Sequence, residues 1–214
     1  MRYNEAMKRI NEFLNRSAWD LKRVYPYLLI ALSSAALLAA MVLMVEEVHL
    51  LKNPTAQLGC DLNPIISCGS VMKSSSSHVF GIPNPVFGIP AFAGLIAIGV
   101  MMLLVGRPKQ RWFWIALELG TVAGMLFVLN LMYHSIFVIG ALCPWCMTTW
   151  AVMIPLFFYT TLYNISEGHI AVKGSLARAA AWVRREHALV LFVAYGAVIW
   201  LILYKFWYYW STLL

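Results

Sequence analysis

Residues 142–162 read LCPWCMTTWAVMIPLFFYTTL, a run without a charged side chain that opens on Cys143-Pro144-Trp145-Cys146. A hydrocarbon core about 30 Å thick needs roughly 20 helical residues to cross it, so this run is long enough to span a bilayer. It does not alternate polar with apolar residues at period two, which excludes a barrel strand. Pro144 suits the first turn of a helix, and a C-x-x-C at a helix start puts its first thiol near the positive end of the helix dipole. A dithiol with a thiolate favoured at Cys143 therefore stands at the membrane's edge, and Cys146, one turn further in, faces the interior.

Outward from this run, the same reading finds spans at 25–45, 85–105, 112–139 (with Glu118 as its only Asp, Glu, Lys or Arg) and 188–204. Charged residues make up 12% of the chain, about half the share of an average soluble domain. The expected fold is an all-α integral membrane protein: a four-helix bundle over 25–163, followed by a fifth transmembrane helix in 188–214.

Basic residues set the orientation, because cytoplasmic flanks and short loops retain Lys and Arg. Arg2, Lys8, Arg9, Arg16, Lys22 and Arg23 precede the first span; Arg107, Lys109 and Arg111 separate the second from the third. Lys173, Arg178, Arg184 and Arg185 lie in the 164–187 loop, leaving Lys52, Lys73 and Lys205 for the other side. With the amino terminus cytoplasmic, both cysteine pairs fall on the outer face. The net charge of +7 is thus a topology signal and not a nucleic-acid surface. Residues 1–24 read as an uncleaved cytoplasmic segment, with Tyr3, Met7, Ile10 and Leu14 at amphipathic helical spacing.

The outer loop, 46–84, carries Cys60, Cys68, the serines Ser74 to Ser77 and a Gly/Pro-rich return, and is too long for a mere connector. Pro64 and Gly69 disfavour a helix across the cysteine pair, while 70–80 is expected to form a short interfacial helix. Three uses of the four cysteines fit their spacing: inert structural disulfides, a four-thiolate zinc site, or a redox relay. Paired C-x-x-C knuckles are missing for zinc. A relay accounts for one pair on a loop and the other at a helix mouth. Within the third span, Glu118 and His134 are ionisable; each reads as a packing or snorkelling group, with His134 the candidate for carrying a proton. Gly120 and Gly124 read as a close-packing pair.

These residues resemble the vitamin K epoxide reductase family, in particular its bacterial members. The likeness is carried by Cys60 and Cys68, by Ser74, by Gly81-Ile82-Pro83 followed by Gly88, and by Cys143-Pro144-Trp145-Cys146 with Thr148 and Thr149. It implies a four-helix bundle around a quinone pocket and a thiol:quinone oxidoreductase in a bacterial plasma membrane, with chemistry shared by DsbB-type enzymes. As the resemblance has it, Cys60 takes electrons from a separate thioredoxin-like partner of the DsbA type, Cys68 attacks Cys143, and Cys146 delivers electrons to a menaquinone, ubiquinone or phylloquinone-like acceptor. Asn84 and Ser74 match pocket residues, and Phe87 and Phe92 are candidate apolar walls. Trp150 stands where many relatives have tyrosine, and its indole is a hydrogen-bond donor only. The alternatives are a membrane scaffold braced by disulfides, or reduction of vitamin K quinone or epoxide as the main role.

Overall fold

The computed structural model describes the backbone of residues 2–211 and the side chains of residues 21–211. The amphipathic face built on Tyr3, Met7, Ile10 and Leu14 lies outside the described side chains.

Five long apolar helices dominate the chain. Helix α1, Arg2–Lys52, includes the first span; α3, Asn84–Leu104, is the second. Helix α4, Arg111–Tyr133, runs into a π-helical turn, His134–Ile139, and α5, Pro144–Ser166, follows directly. These four pack as a bundle, with α1 against α3 and α5, and α4 against α5. The fifth long helix, α7, His187–Lys205, has no buried residue and lies on the outside. Its continuation α8, Trp207–Trp210, is anchored by Phe206, which is 1% exposed. The core is apolar side chains from the bundle helices, including Leu29, Ala36, Trp114, Val128, Trp150 and Leu156. The apolar residues left exposed on the outer faces of these helices suit a lipid surround.

Two close contacts explain small residues in the bundle. A Cβ at Gly99 would stand 2.7 Å from Ile30 Cγ1 and 3.0 Å from the Pro26 carbonyl oxygen, so glycine is what lets α3 lie against α1. At Gly124 a Cβ would meet Met153 Cε at 2.9 Å, whereas Gly120 has nothing within 4 Å. Only Gly124 of that pair is a packing contact, and both border a cavity.

The end of the bundle opposite the cysteines is tightly bonded. Lys22 pairs with Glu167 at 2.8 Å, Arg107 donates to the Lys22 carbonyl at 2.6 Å, and Arg111 donates to the His169 carbonyl at 2.8 Å. Tyr25 stacks on Tyr163 with centroids 4.4 Å apart, and Trp114 stacks on His169 at 5.1 Å. The stretch expected to be a plain loop, 164–187, contains a further helix, α6, Ser175–Arg185. Its apolar residues Leu176 and Trp182 interleave with Arg178, Arg184 and Arg185, an amphipathic pattern suited to a membrane surface.

The outer loop also departs from expectation. In place of one helix over 70–80 there is a short α2, Cys68–Met72, a 3₁₀ turn, Ser75–Ser77, and a hairpin of β1, His78–Val79, with β2, Ile82–Pro83. The serines are the reason. Ser74 donates to the Val71 carbonyl at 2.6 Å, and Ser77 reaches the Met72 and Ser74 carbonyls at 2.5 and 2.7 Å, so side chains take up the oxygens a continuing helix would use. The hairpin then turns through Phe80 and Gly81, both with positive φ (53° and 78°), as a two-residue turn between paired strands requires.

Candidate functional site: two cysteine pairs at the mouth of a cavity

A short piece of backbone pairing holds the outer loop on the mouth of α5. Leu142 N–H donates to the Ile65 carbonyl at 2.7 Å and Ser67 N–H donates to the Leu142 carbonyl at 3.0 Å, forming a parallel bridge. The loop side of this bridge is shaped by Asn63, whose Oδ1 accepts from the Ile65 and Ile66 amides. Asp61 does the larger task. Its carboxylate accepts from Gly69 N–H at 2.9 Å, Leu58 N–H at 3.1 Å and the Ser67 hydroxyl at 2.8 Å, tying the residues around Cys60 to those around Cys68. Burial works against its charge, yet the bonds from Gly69, Leu58 and Ser67 outweigh burial and hold its pKa below the usual carboxylate range.

That framework sets the sulfurs. Cys60 and Cys68 are joined in a disulfide, while Cys143 and Cys146 are free thiols. Cys143 Sγ lies 3.3 Å from Cys68 Sγ although 75 residues separate them in sequence. The Cys143 pKa is lowered, chiefly by the hydrogen bond from the Cys146 thiol; burial opposes this, and the Cys146 and Trp145 amides at the start of α5 add to it. Asp61 pushes the other way through its charge. The first thiol of the C-x-x-C motif is thus disposed to be a thiolate in contact with a disulfide sulfur, the arrangement that thiol exchange needs. With two of the four sulfurs bonded to each other, the cysteines form no four-thiolate cluster in this structure.

Behind the sulfurs is a cavity of about 750 Å³, bordered by α1, α3, α4, α5 and the outer loop. Its lining is mostly apolar, with polar groups concentrated toward the cysteine end. Cys146 borders it, and so do all four residues put forward as pocket groups: Ser74, Asn84, Phe87 and Trp150, with Phe92 beside them. Asn84 Nδ2 donates to the Ser76 carbonyl at 2.9 Å, while its Oδ1 is buried with no partner. A buried carbonyl oxygen without a donor costs free energy until something supplies one. A largely apolar cavity with an unpartnered amide oxygen on its wall suits an apolar ligand that carries a polar group.

The sequence pattern of the vitamin K epoxide reductase family matches residues 27–161. The chain belongs to that family. No curated protein matches the chain. Family members are membrane oxidoreductases that couple disulfide chemistry to a quinone, and this chain is an integral membrane oxidoreductase.

Not every ionisable group of this vitamin K epoxide reductase family protein joins the site. His134 bonds back to the Asn130 carbonyl at 2.9 Å and does not border the cavity. Glu118 accepts from the Thr161 hydroxyl at 2.6 Å and from Asn164 Nδ2 at 2.7 Å, so it bonds α5 and does not snorkel. Sequence reasoning missed Asp61, whose place directly after Cys60 and before the turn residues Asn63 and Pro64 was a readable signal. It also missed Glu47 and His78. Glu47 borders the cavity and its Oε1 is 3.1 Å from His78 Nε2, a contact that depends on the hairpin and has no local signature.

Proposed function

We propose that this enzyme reoxidises a separate, thioredoxin-like partner of the DsbA type and passes the electrons to a membrane quinone, supporting disulfide formation in exported proteins. The observation that carries this reading is the 3.3 Å contact of Cys68 with Cys143 at one side of the site, together with the Cys146 border on the cavity at the other.

The partner's dithiol reduces the Cys60–Cys68 disulfide through a mixed disulfide at Cys60. Cys60 is 8% exposed, so this exchange requires the outer loop to open. The Cys68 thiolate then attacks Cys143 in a Cys143–Cys146 disulfide, forming a Cys68–Cys143 bond and releasing the Cys146 thiolate. Attack by Cys60 on Cys68 restores the loop disulfide and frees Cys143. The resulting state has Cys60 bonded to Cys68 and two thiols at 143 and 146, the state seen here. A bound quinone accepts two electrons and two protons. Cys146, Ser74, Asn84, Phe87 and Trp150 would hold it: Asn84 Nδ2 would donate to an oxygen, Ser74, whose proton goes to the Val71 carbonyl, would accept from a hydroxyl, and Phe87 and Trp150 would wall the ring. The residues 25–163 are the catalytic bundle in this reading. The cysteine end faces the outside of a bacterial plasma membrane, in line with the crowd of Lys and Arg at the other end.

Free thiols in the fully reduced protein, counted by alkylation and mass shift before and after anaerobic addition of a soluble quinone, test this. Loss of all four thiols with stoichiometric quinol is expected. Persistence of all four overturns it, as does loss of thiols without quinol.

A further inference from the structure

Quinone reduction places protons on oxygens inside an apolar cavity, and a group there must deliver them. On the outer rim of the cavity we infer that Glu47 and His78, with Ser77 fixing the ring, form the proton inlet to the bound quinone. This inference rests on the quinone reading above.

His78 lies on β1 and its ring bridges two elements: Nδ1 is 2.8 Å from Ser77 Oγ, and Nε2 is 3.1 Å from Glu47 Oε1 on α1. The single proton of the Ser77 hydroxyl is committed to the Met72 and Ser74 carbonyls, at 2.5 and 2.7 Å. Toward the ring, Ser77 therefore acts only as an acceptor, and Nδ1 carries a hydrogen whatever the charge of the ring. The nitrogen left to gain and lose a proton is Nε2, and it faces Glu47. The 3.1 Å Nε2 to Oε1 line is short enough for a proton to pass along it between histidine and carboxyl.

The two residues differ in surroundings in the way an inlet requires. The His78 side chain is 32% exposed, whereas that of Glu47 is 6% exposed and borders the cavity that Cys146 and Asn84 also border. A solvated imidazole outside and a buried carboxyl inside make a path in one direction. His134, by contrast, is bonded into its own helix and away from the cavity.

In the step, the Cys143 and Cys146 thiols form an S–S bond and lose two electrons and two protons. Glu47 gives one proton to an oxygen of the quinone and is reprotonated from His78 Nε2, which takes its own from water. The Cys146 thiol proton supplies the second O–H, and the Cys143 proton leaves to solvent. Two protons and two electrons are released and two of each are taken up. Ser77 is a positioning residue here; Glu47 is the group that touches the acceptor.

Two measurements test the inlet. Histidine-ring ¹⁵N NMR of the protein without quinone should show His78 with Nδ1 protonated across the neutral range, and a neutral ring with bare Nδ1 and protonated Nε2 overturns the assignment. Stopped-flow quinol formation by the reduced His78→Gln protein should fall about a hundredfold in kcat, with KM for the quinone unchanged and rate restored by added imidazole. Glu47→Gln should lose a similar factor without imidazole rescue, and it keeps the test open should His78→Gln fail to fold. An unchanged rate in both variants overturns the inlet while leaving the quinone reading standing. A loss that imidazole does not restore in His78→Gln, accompanied by a raised KM, assigns His78 to structure and overturns it also. Failure of the parent reading is distinguishable, because the unmodified protein then makes no quinol.

Discussion

At one end of the bundle the helices are joined by direct side-chain bonds: Lys22 to Glu167, Arg111 to the His169 carbonyl, and the buried acceptor Glu118 shared by Thr161 and Asn164. At the other end they are joined through a long loop, held by the Asp61 bonds, a two-bond backbone bridge and a disulfide, with a cavity of about 750 Å³ behind it. The first end is densely bonded, with Asn164 Oδ1 a buried oxygen lacking a donor. The second leaves space, an unpartnered Asn84 oxygen and sulfurs in contact. Bonds between helices are concentrated at the first end and the candidate site at the second, as expected where a site that has to open is drawn from the less tightly packed part of a fold.

If that division is right, substitutions at the two ends should separate the two properties. The largest effect is expected for Cys68→Ser, which should lower thiol-to-quinone turnover by about a thousandfold or more, since it removes the loop sulfur that contacts Cys143. Losing the short loop closure should cost roughly 2 kcal/mol in the same variant, leaving the bundle folded by circular dichroism. A scaffold braced by its disulfides would instead unfold.

Glu118→Ala is the converse. It removes the carboxylate acceptor from the Thr161 hydroxyl and the Asn164 amide, which keep only the Phe157 and Trp114 carbonyls at 3.0 and 3.3 Å, and should cost about 2 to 3 kcal/mol in denaturation measurements. Turnover per folded molecule should stay near that of the parent. Glu118→Gln keeps one acceptor and should fall between the two.

A smaller change is expected from Asp61→Ala, which strips the acceptor from Gly69, Leu58 and Ser67 and should cost about 2 kcal/mol, with turnover reduced because the Cys68 to Cys143 approach is loosened. The sign of its pH dependence follows from the lowered pKa. The carboxylate contributes fully above its unfolded value, near 3.9, and the contribution disappears as pH falls through the still lower folded value. The unmodified protein should therefore lose more stability on acidification than Asp61→Ala does, as thermal melts at descending pH will show.

The smallest effect concerns Cys143 alone. Its thiolate, followed by ultraviolet absorbance, should form at a pH below that of an ordinary thiol, and Cys146→Ala should raise that pH by removing the strongest stabilising hydrogen bond. The same midpoint in both proteins would show that Cys146 does not tune its neighbour.

The contrast between the ends also explains what was legible in the sequence. Run length alone located the five spans, because the bilayer demands a fixed number of apolar residues whatever the tertiary packing, although the first helix continues to Lys52, seven residues past the expected end. The Cys143 to Cys146 motif announced itself by spacing, and the cavity-lining residues Ser74 and Asn84 were put forward through resemblance, which supplies long-range placement that periodicity does not. The loop was harder. Ser74 and Ser77 ended α2 through side-chain bonds to carbonyls, and the Glu47–His78 contact joins residues 31 apart through a hairpin set by Phe80 and Gly81. The helix Ser175–Arg185 was readable from its own pattern of Leu176 and Trp182 among arginines, but its run is too short and too charged to register in a search for spans.

In the proposed relay, electrons cross from the loop pair to the helix pair through Cys68 and Cys143. The direct measurement is peptide mass spectrometry of the double variant Cys60→Ala, Cys146→Ala after mild oxidation in a membrane mimic. The expected product is a single intramolecular Cys68–Cys143 cross-link in nearly every molecule. Two free thiols, or links only between molecules, would contradict the relay.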